Sequence, residues 1–160
     1  MKCIALLACE KIIIDKDGAH SIINVMLNAE ILLQSLDGSD RTQVITIPPD
    51  AVAPQVWWIY TIWQPSPDDV GKSFEQVYQT YWPNNDKFME ARITVVLKDD
   101  TPMQTSFHVG GLPVGKEGKL KVLTWLDHEG HSVTEVSEAL INVKHRTTVP
   151  SGAPVLAARF

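Results

Sequence analysis

Two apolar, β-branched runs, Lys2 to Ile14 and Ser21 to Met26, flank the segment Asp15-Lys16-Asp17-Gly18. Asp17-Gly18 supplies the positive φ that a tight turn needs, so this region is expected to fold as a β-hairpin. The first run is apolar at both parities. Ile4, Leu6, Ile12 and Ile14 fall on one side, and Cys3, Ala5, Leu7 and Ile13 on the other. That pattern predicts an interior strand covered on both faces for much of its length.

The rest of the chain repeats this grammar of short apolar runs and turn clusters. Val25 to Leu33 stays apolar, and reads equally as one bent strand or as a strand and a loop. Leu36 to Arg41 is a turn cluster, Gln43 to Ile47 alternates, and Pro48-Pro49 ends that run. Val56 to Trp63 is dense in aromatic and β-branched residues and predicts a strand. Ser73 to Trp82 fits helical spacing at Phe74, Val77, Tyr78 and Tyr81, with Ser73 and Gln76 as a capping box. The same residues are mediocre helix formers, and a strand would place Phe74, Gln76, Tyr78, Thr80 and Trp82 on one face. The strand reading is preferred.

Further strands are expected at Ala91 to Leu97, Gln104 to Val109, Lys119 to Leu126 and Ser132 to Val143. Gly110-Gly111 reads as a strand-ending bend, Leu112 to Gly118 as a loop, and Asp127-His128-Glu129-Gly130 as a tight turn. About eight strands with no alternating βαβ order predict an all-β fold, a sandwich or a barrel, with an antiparallel β-sandwich over residues 1–146 preferred. Residues 147–160, with Pro150, Gly152 and Pro154, read as a short C-terminal tail.

Composition narrows the function classes. A chain of 160 residues suits one domain. With a net charge of −5 and no basic run longer than Lys144-His145-Arg146, the chain lacks the clustered cations that bind nucleic acid. No segment approaches the ~18 apolar residues of a membrane-spanning helix. The apolar opening continues through Glu10-Lys11 into Ile12-Ile13-Ile14, which reads as strand and not as a cleaved leader. Cys3 and Cys9 lie in one predicted strand, ~20 Å apart at ~3.3 Å per residue, too far for a disulfide. Their shared parity places both on one face, as two small reduced thiols. A cytoplasmic location is expected.

Three pieces carry a family resemblance. One is the Ala5-Leu6-Leu7-Ala8 strand leading through Asp15-Lys16-Asp17-Gly18 into Ser21-Ile22-Ile23-Asn24. The others are Asp69-Val70-Gly71-Lys72-Ser73-Phe74 leading to Trp82-Pro83-Asn84, and the Gly118-Lys119-Leu120 strand with its following partner. Over residues 2–145 the chain resembles a group of small bacterial β-sandwich proteins of unknown function. The resemblance implies the fold and a strand at Ser73 to Trp82, and it assigns no catalytic residue.

The chemistry-bearing residues do not assemble into a motif. His128 and His131 sit in a turn with Asp127 and Glu129, but a zinc site needs three or four convergent ligands. There is no nucleophile elbow, no Gly-rich phosphate loop and no Cys paired with a His. No enzyme activity and no cofactor are expected. The unusual feature is the cluster Trp57, Trp58 and Trp63. In a strand Trp57 and Trp63 share one face and Trp58 takes the other, so one face can be core and the other a recognition surface. The expected function is a non-enzymatic protein-interaction or assembly module. Trp57, Trp58, Trp63, Leu156 and Phe160 are its candidate contacts, and self-association into a homo-oligomer is expected. A carbohydrate-binding module using exposed Trp is the alternative, and a small metal-dependent enzyme the weaker one.

Overall fold

The computed structural model describes residues 1–33 and 47–147. It is all-β. Among the described residues ten strands run in chain order: β1 (Lys2–Ile14), β2 (His20–Val25), β3 (Asn28–Leu33), β4 (Val52–Gln64), β5 (Ser73–Tyr81), β6 (Lys87–Val96), β7 (Met103–Pro113), β8 (Gly118–His128), β9 (His131–Ser132) and β10 (Ser137–Thr147). One 3-10 turn, Pro67–Asp69, is the sole helical element among the described residues. A four-stranded sheet has the order β2-β1-β4-β7, and a six-stranded sheet the order β3-β10-β8-β5-β6 with β9 beside β8.

The hairpin forms as its sequence dictates. Ile14 pairs His20, and Gly18 takes a φ of 81°. The Asp15 carboxylate accepts from the Asp17 and Ala19 amides at 2.9 and 2.8 Å, closing the turn locally. β1 pairs β4 from Lys2 to Cys9, whereas Lys11 to Ile14 pair with β2 alone. The second half of the hairpin is therefore a two-stranded ribbon. It curls back over the four-stranded sheet, since the His20 ring meets the Tyr60 ring of β4 edge-on at 5.5 Å. The expected two-sided cover of β1 is thus local: Ala8 and Cys9 are buried, while Ile4, Ile13 and Ile14 are exposed.

The register also corrects the parity of the cysteines. A bulge between Cys3 and Ala5 turns Cys3 to the inner face beside Trp63, while Cys9 stays on the outer face beside Trp58. Both thiols are free. Burial pushes the Cys9 thiol up to about 11, against a small opposing hydrogen bond from the Lys11 backbone.

The ambiguous segment Ser73 to Trp82 is strand β5, with Phe74, Gln76, Tyr78 and Thr80 all buried on one face. Tertiary burial overrides its helical spacing, because β6 and β8 pair it on both sides. The inward residues of both sheets share a core in two parts. The larger part holds Trp57, Ile59, Tyr78, Val109, Leu120, Val122 and Ile141; the smaller holds Trp63, Phe74, Val95, Leu97 and Leu126.

A polar layer separates the two parts. Thr105 donates to Gln76 Oε1 at 2.8 Å, so its only proton is spent and the Tyr78 hydroxyl must donate to Thr105, at 3.0 Å. Gln76 Nε2 donates to Thr124, and Thr124 donates to the Val77 carbonyl. Thr61, 3.5 Å from Tyr78, stands at the head of this one-way chain. Burial raises the Tyr78 hydroxyl above its usual range, against its hydrogen bonds with Thr105 and Thr61, so it remains a neutral donor. The chain joins both sheets, and a one-residue slip of any of its strands would turn a member away.

Other sequence expectations shift in detail. β7 does not end at Gly110-Gly111. It continues to Pro113 with Gly111 at a φ of 89°, where a Cβ would meet Val52 Cγ1 at 2.5 Å, and Leu112 pairs Ala53 in the core. Val25 ends β2, and after Met26 and Leu27 the chain enters β3, which pairs β10 in parallel, the one exception to antiparallel order among the described residues. Ser132 to Val143 divides into the end of β9 and most of β10. These divisions raise the strand number above the expected eight. Leu36 to Arg41, most of Gln43 to Ile47, and the tail beyond Thr147 lie outside the described residues, and with them Leu156 and Phe160.

Candidate functional site

β4 runs through the middle of its sheet, between β1 and β7. Alternation along it sends Trp57, Ile59, Thr61 and Trp63 inward, all fully buried. Trp57 Nε1 donates to the Gly111 carbonyl at 3.0 Å, whereas Trp63 Nε1 has no partner. Trp57 and Trp63 are therefore core residues and offer no surface to a partner, which corrects their reading as contacts. Trp58 faces outward, half-buried, with its ring 5.0 Å from that of His108 on β7.

The outward residues near Trp58 carry few charges. On β4 they are Tyr60 and Ile62, and on β7 Gln104, Ser106 and His108. Tyr60 donates to Gln104 Oε1 at 2.7 Å. Burial raises the Tyr60 hydroxyl, with Cys9 acting in the same direction. On the ribbon side lie Ile13, Ile23 and Val25, all exposed, with Asn24 at a φ of 50° between the last two.

The six-stranded sheet presents a different outer face. Arg92 on β6 donates to Glu75 at 2.6 Å and to Glu90 at 3.2 Å, and stands 3.4 Å from Asp127. Lys87 donates to Glu90 at 2.7 Å. Hydrogen bonds from Lys87, Gln79 and Arg92 hold the Glu90 carboxyl down at about 2. Lys119, Lys121, Glu138 and Lys144 continue this charged surface across β8 and β10.

The edge of this sheet holds a cleft of about 210 Å³ lined by Ser73, Phe74, Glu75, Thr94, Asp127, His128, Glu129 and Gly130. It forms because Glu129 and Gly130, at φ of 51° and 81°, make the two-residue turn between β8 and β9. His128 Nδ1 lies 2.8 Å from the Ser73 carbonyl, which requires the proton on Nδ1, and its ring leans on Phe74. Glu75 and Asp127 are both engaged by Arg92, and Trp125 Nε1 also donates to Asp127. His131 is exposed across the strand from His128. Among the described residues no group of three or more His, Cys, Asp or Glu side chains is arranged to hold a metal. No helix there is long and apolar enough to cross a membrane.

The surface that the sequence did not single out is the ribbon itself. Its signal was present in the triple Ile12-Ile13-Ile14 and in a β2 free of charge, but apolar β-branched residues read equally as core. No protein-family model matches the chain, and no curated protein shows significant similarity to it.

Proposed function

We propose that this chain is a non-catalytic interaction module, an open β-sandwich in the cytoplasm. It engages a protein through the outer side of the four-stranded sheet and the β1–β2 ribbon. The observation that carries this reading is the group of exposed Ile13, Ile14 and Ile23 on a ribbon that β4 does not pair, with exposed Val25 where that ribbon leaves the sheet. Clustered exposed apolar residues mark contact surfaces, since they gain from burial what scattered ones do not. Charged residues on the other sheet keep that side in water. A photo-crosslinking residue at Ile23, compared with one at exposed Thr94 on the six-stranded sheet, tests it in the cells that express the chain. Protein adducts are expected from position 23 and not from 94. Adducts from neither position, or from 94 alone, would remove the reading.

Trp58 with His108, Ser106 and Gln104 forms a neutral aromatic and polar strip, the composition that stacks on and hydrogen-bonds to sugars. It supports a second reading, a site for neutral oligosaccharides. Quenching or blue-shift of Trp fluorescence on titration, lost in Trp58→Ala, is its expected signature, and an unchanged spectrum excludes it.

A further inference from the structure

Tyr60 lies on the outer face of the four-stranded sheet, beside Trp58, Ser106 and His108, yet it is only 2% exposed. Its cover is the β1–β2 ribbon, whose His20 ring stands edge-on to the Tyr60 ring at 5.5 Å. Along the ribbon Ile12, His20 and Ile22 share one side and are half-buried, whereas Ser21 and Ile23 on the other side are exposed. The covered side is narrow, since Ile14, which pairs with His20, is 57% exposed.

The rest of the ribbon's attachment is at its root. β1 leaves β4 after the pair Cys9–Trp58, and among the described residues Lys11 to Ile14 and His20 to Ile23 pair only with each other. At the root Asn24 takes a φ of 50°, and its side chain donates to Glu10 Oε2 at 2.6 Å. Asn enters this left-handed region at lower cost than most residues, so Asn24 has two accessible backbone conformations where the ribbon meets the sheet. Hinges are built from a few such residues at the end of an element.

The far end is held by an imperfect contact. His20 Nδ1 is buried with no hydrogen-bond partner among the described residues. Docking therefore gains an aromatic contact and leaves a polar nitrogen unsatisfied, and the second effect offsets part of the first. A segment so attached opens at a lower free energy than the sheet it rests on. We propose that the β1–β2 ribbon is a hinged strap, which turns about Glu10 and Asn24, lifts His20 off Tyr60 and uncovers Tyr60 and Cys9 beside Trp58. Lifting it lengthens the neutral aromatic strip on β4, with Tyr60 ~7 Å along the strand from Trp58. This inference goes beyond the interaction-module reading and does not depend on a partner.

Cys9 reports the motion, because its thiol is fully buried on the outer face at the root of the strap. Thiol labelling of the intact chain in excess reagent tests the proposal. Peptide mass spectrometry counts Cys9 apart from Cys3, and urea melts confirm that each protein is folded. Opening of the strap exposes little surface, so the Cys9 rate in the native chain should barely rise with urea below the melt. His20→Asp sets a carboxylate against the Tyr60 ring and should speed Cys9 labelling at least ~10-fold. His20→Phe keeps the ring contact and removes the unpartnered nitrogen, and should slow it at least ~5-fold. Cys3 labelling should change in neither variant, which separates the strap from a general loss or gain of stability. Cys9 labelling with the full urea dependence of global unfolding overturns the proposal. So does an unchanged rate in His20→Asp, or a rate in His20→Phe no slower than that of the native chain.

Discussion

The two sheets bury similar inner faces and turn opposite characters outward. On the six-stranded sheet, Val77 is fully buried on the outer side, opposite Arg92 on one strand and Trp125 on the other. Long side chains there lay apolar stems over the sheet and keep their charges in water. On the four-stranded sheet Tyr60 is covered by the ribbon, and Ile23 and Val25 are covered by nothing among the described residues. The six-stranded sheet covers most of its outer side with charged and long side chains and leaves Val96 and Leu140 exposed singly, whereas the ribbon groups its exposed apolar residues. The binding surface is thus found by asking where charge is missing, not where tryptophan is abundant.

The largest test sets the two sides of β4 against each other. Trp57→Ala should cost ~3–5 kcal/mol of unfolding free energy, the usual range for emptying a packed aromatic site. Half-buried Trp58→Ala should cost well under half as much, measured by urea denaturation. Equal losses would make the outer side of the four-stranded sheet a second core and erase the contrast.

The inner layer comes next. Gln76→Ala leaves the Thr105 hydroxyl proton without its acceptor between the sheets, while Thr124 keeps its bond to the Val77 carbonyl, and an unsatisfied buried group costs ~1–3 kcal/mol. Gln104→Ala removes an equally short bond, to Tyr60, but at the rim where water replaces it, so its loss should fall below that range. If Gln104→Ala proves as costly as Gln76→Ala, the outer face of this sheet is dry.

The joint between the sheets is sensitive to acid. Asp69, on the connection from β4 to β5, accepts from the Ser66 hydroxyl and amide and pairs with the Met1 ammonium at 3.0 Å. Burial acts to raise its carboxyl, but these partners outweigh it and hold the group down at about 2. A carboxyl depressed on folding stabilises the native state above its unfolded value near 4, and that contribution is lost as pH falls through about 2. Near the surface, with water screening part of it, the contribution is ~1 kcal/mol. Asp69→Asn should flatten the stability profile between pH 4 and 2; an unchanged acid limb would show that Asp69 gains nothing on folding.

Much of this architecture was legible in the sequence because its signals are local. Gly18 with the Asp15 carboxylate, and Glu129-Gly130, place their turns through local interactions, and alternation along β4 sorts Trp57 and Trp63 from Trp58. Two kinds of feature were not legible. The bulge at Cys3 to Ala5, the continuation of β7 past Gly110 and the parallel pairing of β3 with β10 depend on which strand lies alongside, and no short window holds that information. The exposed ribbon was hidden for a different reason: Ile13 and Ile23 look like core until a register shows that β4 stops short of them.

The smallest expected effect is the most discriminating about the charged sheet. Arg92 does two things there. Its guanidinium binds Glu75 and Glu90, and its stem lies opposite Val77. Arg92→Met removes the charge and keeps a long apolar cover; Arg92→Ala removes both. Exposed ion pairs are screened, so the melting temperature of Arg92→Met should drop slightly at low salt and rejoin the native value at high salt. Arg92→Ala should retain a deficit at high salt, because salt does not re-cover Val77. Thermal melts of the three proteins across a salt series separate the terms. If Arg92→Met keeps its deficit at high salt, the charges hold the strands together and are not a solvated coat. If Arg92→Ala recovers fully, Val77 needs no cover from Arg92, and its burial rests on Trp125.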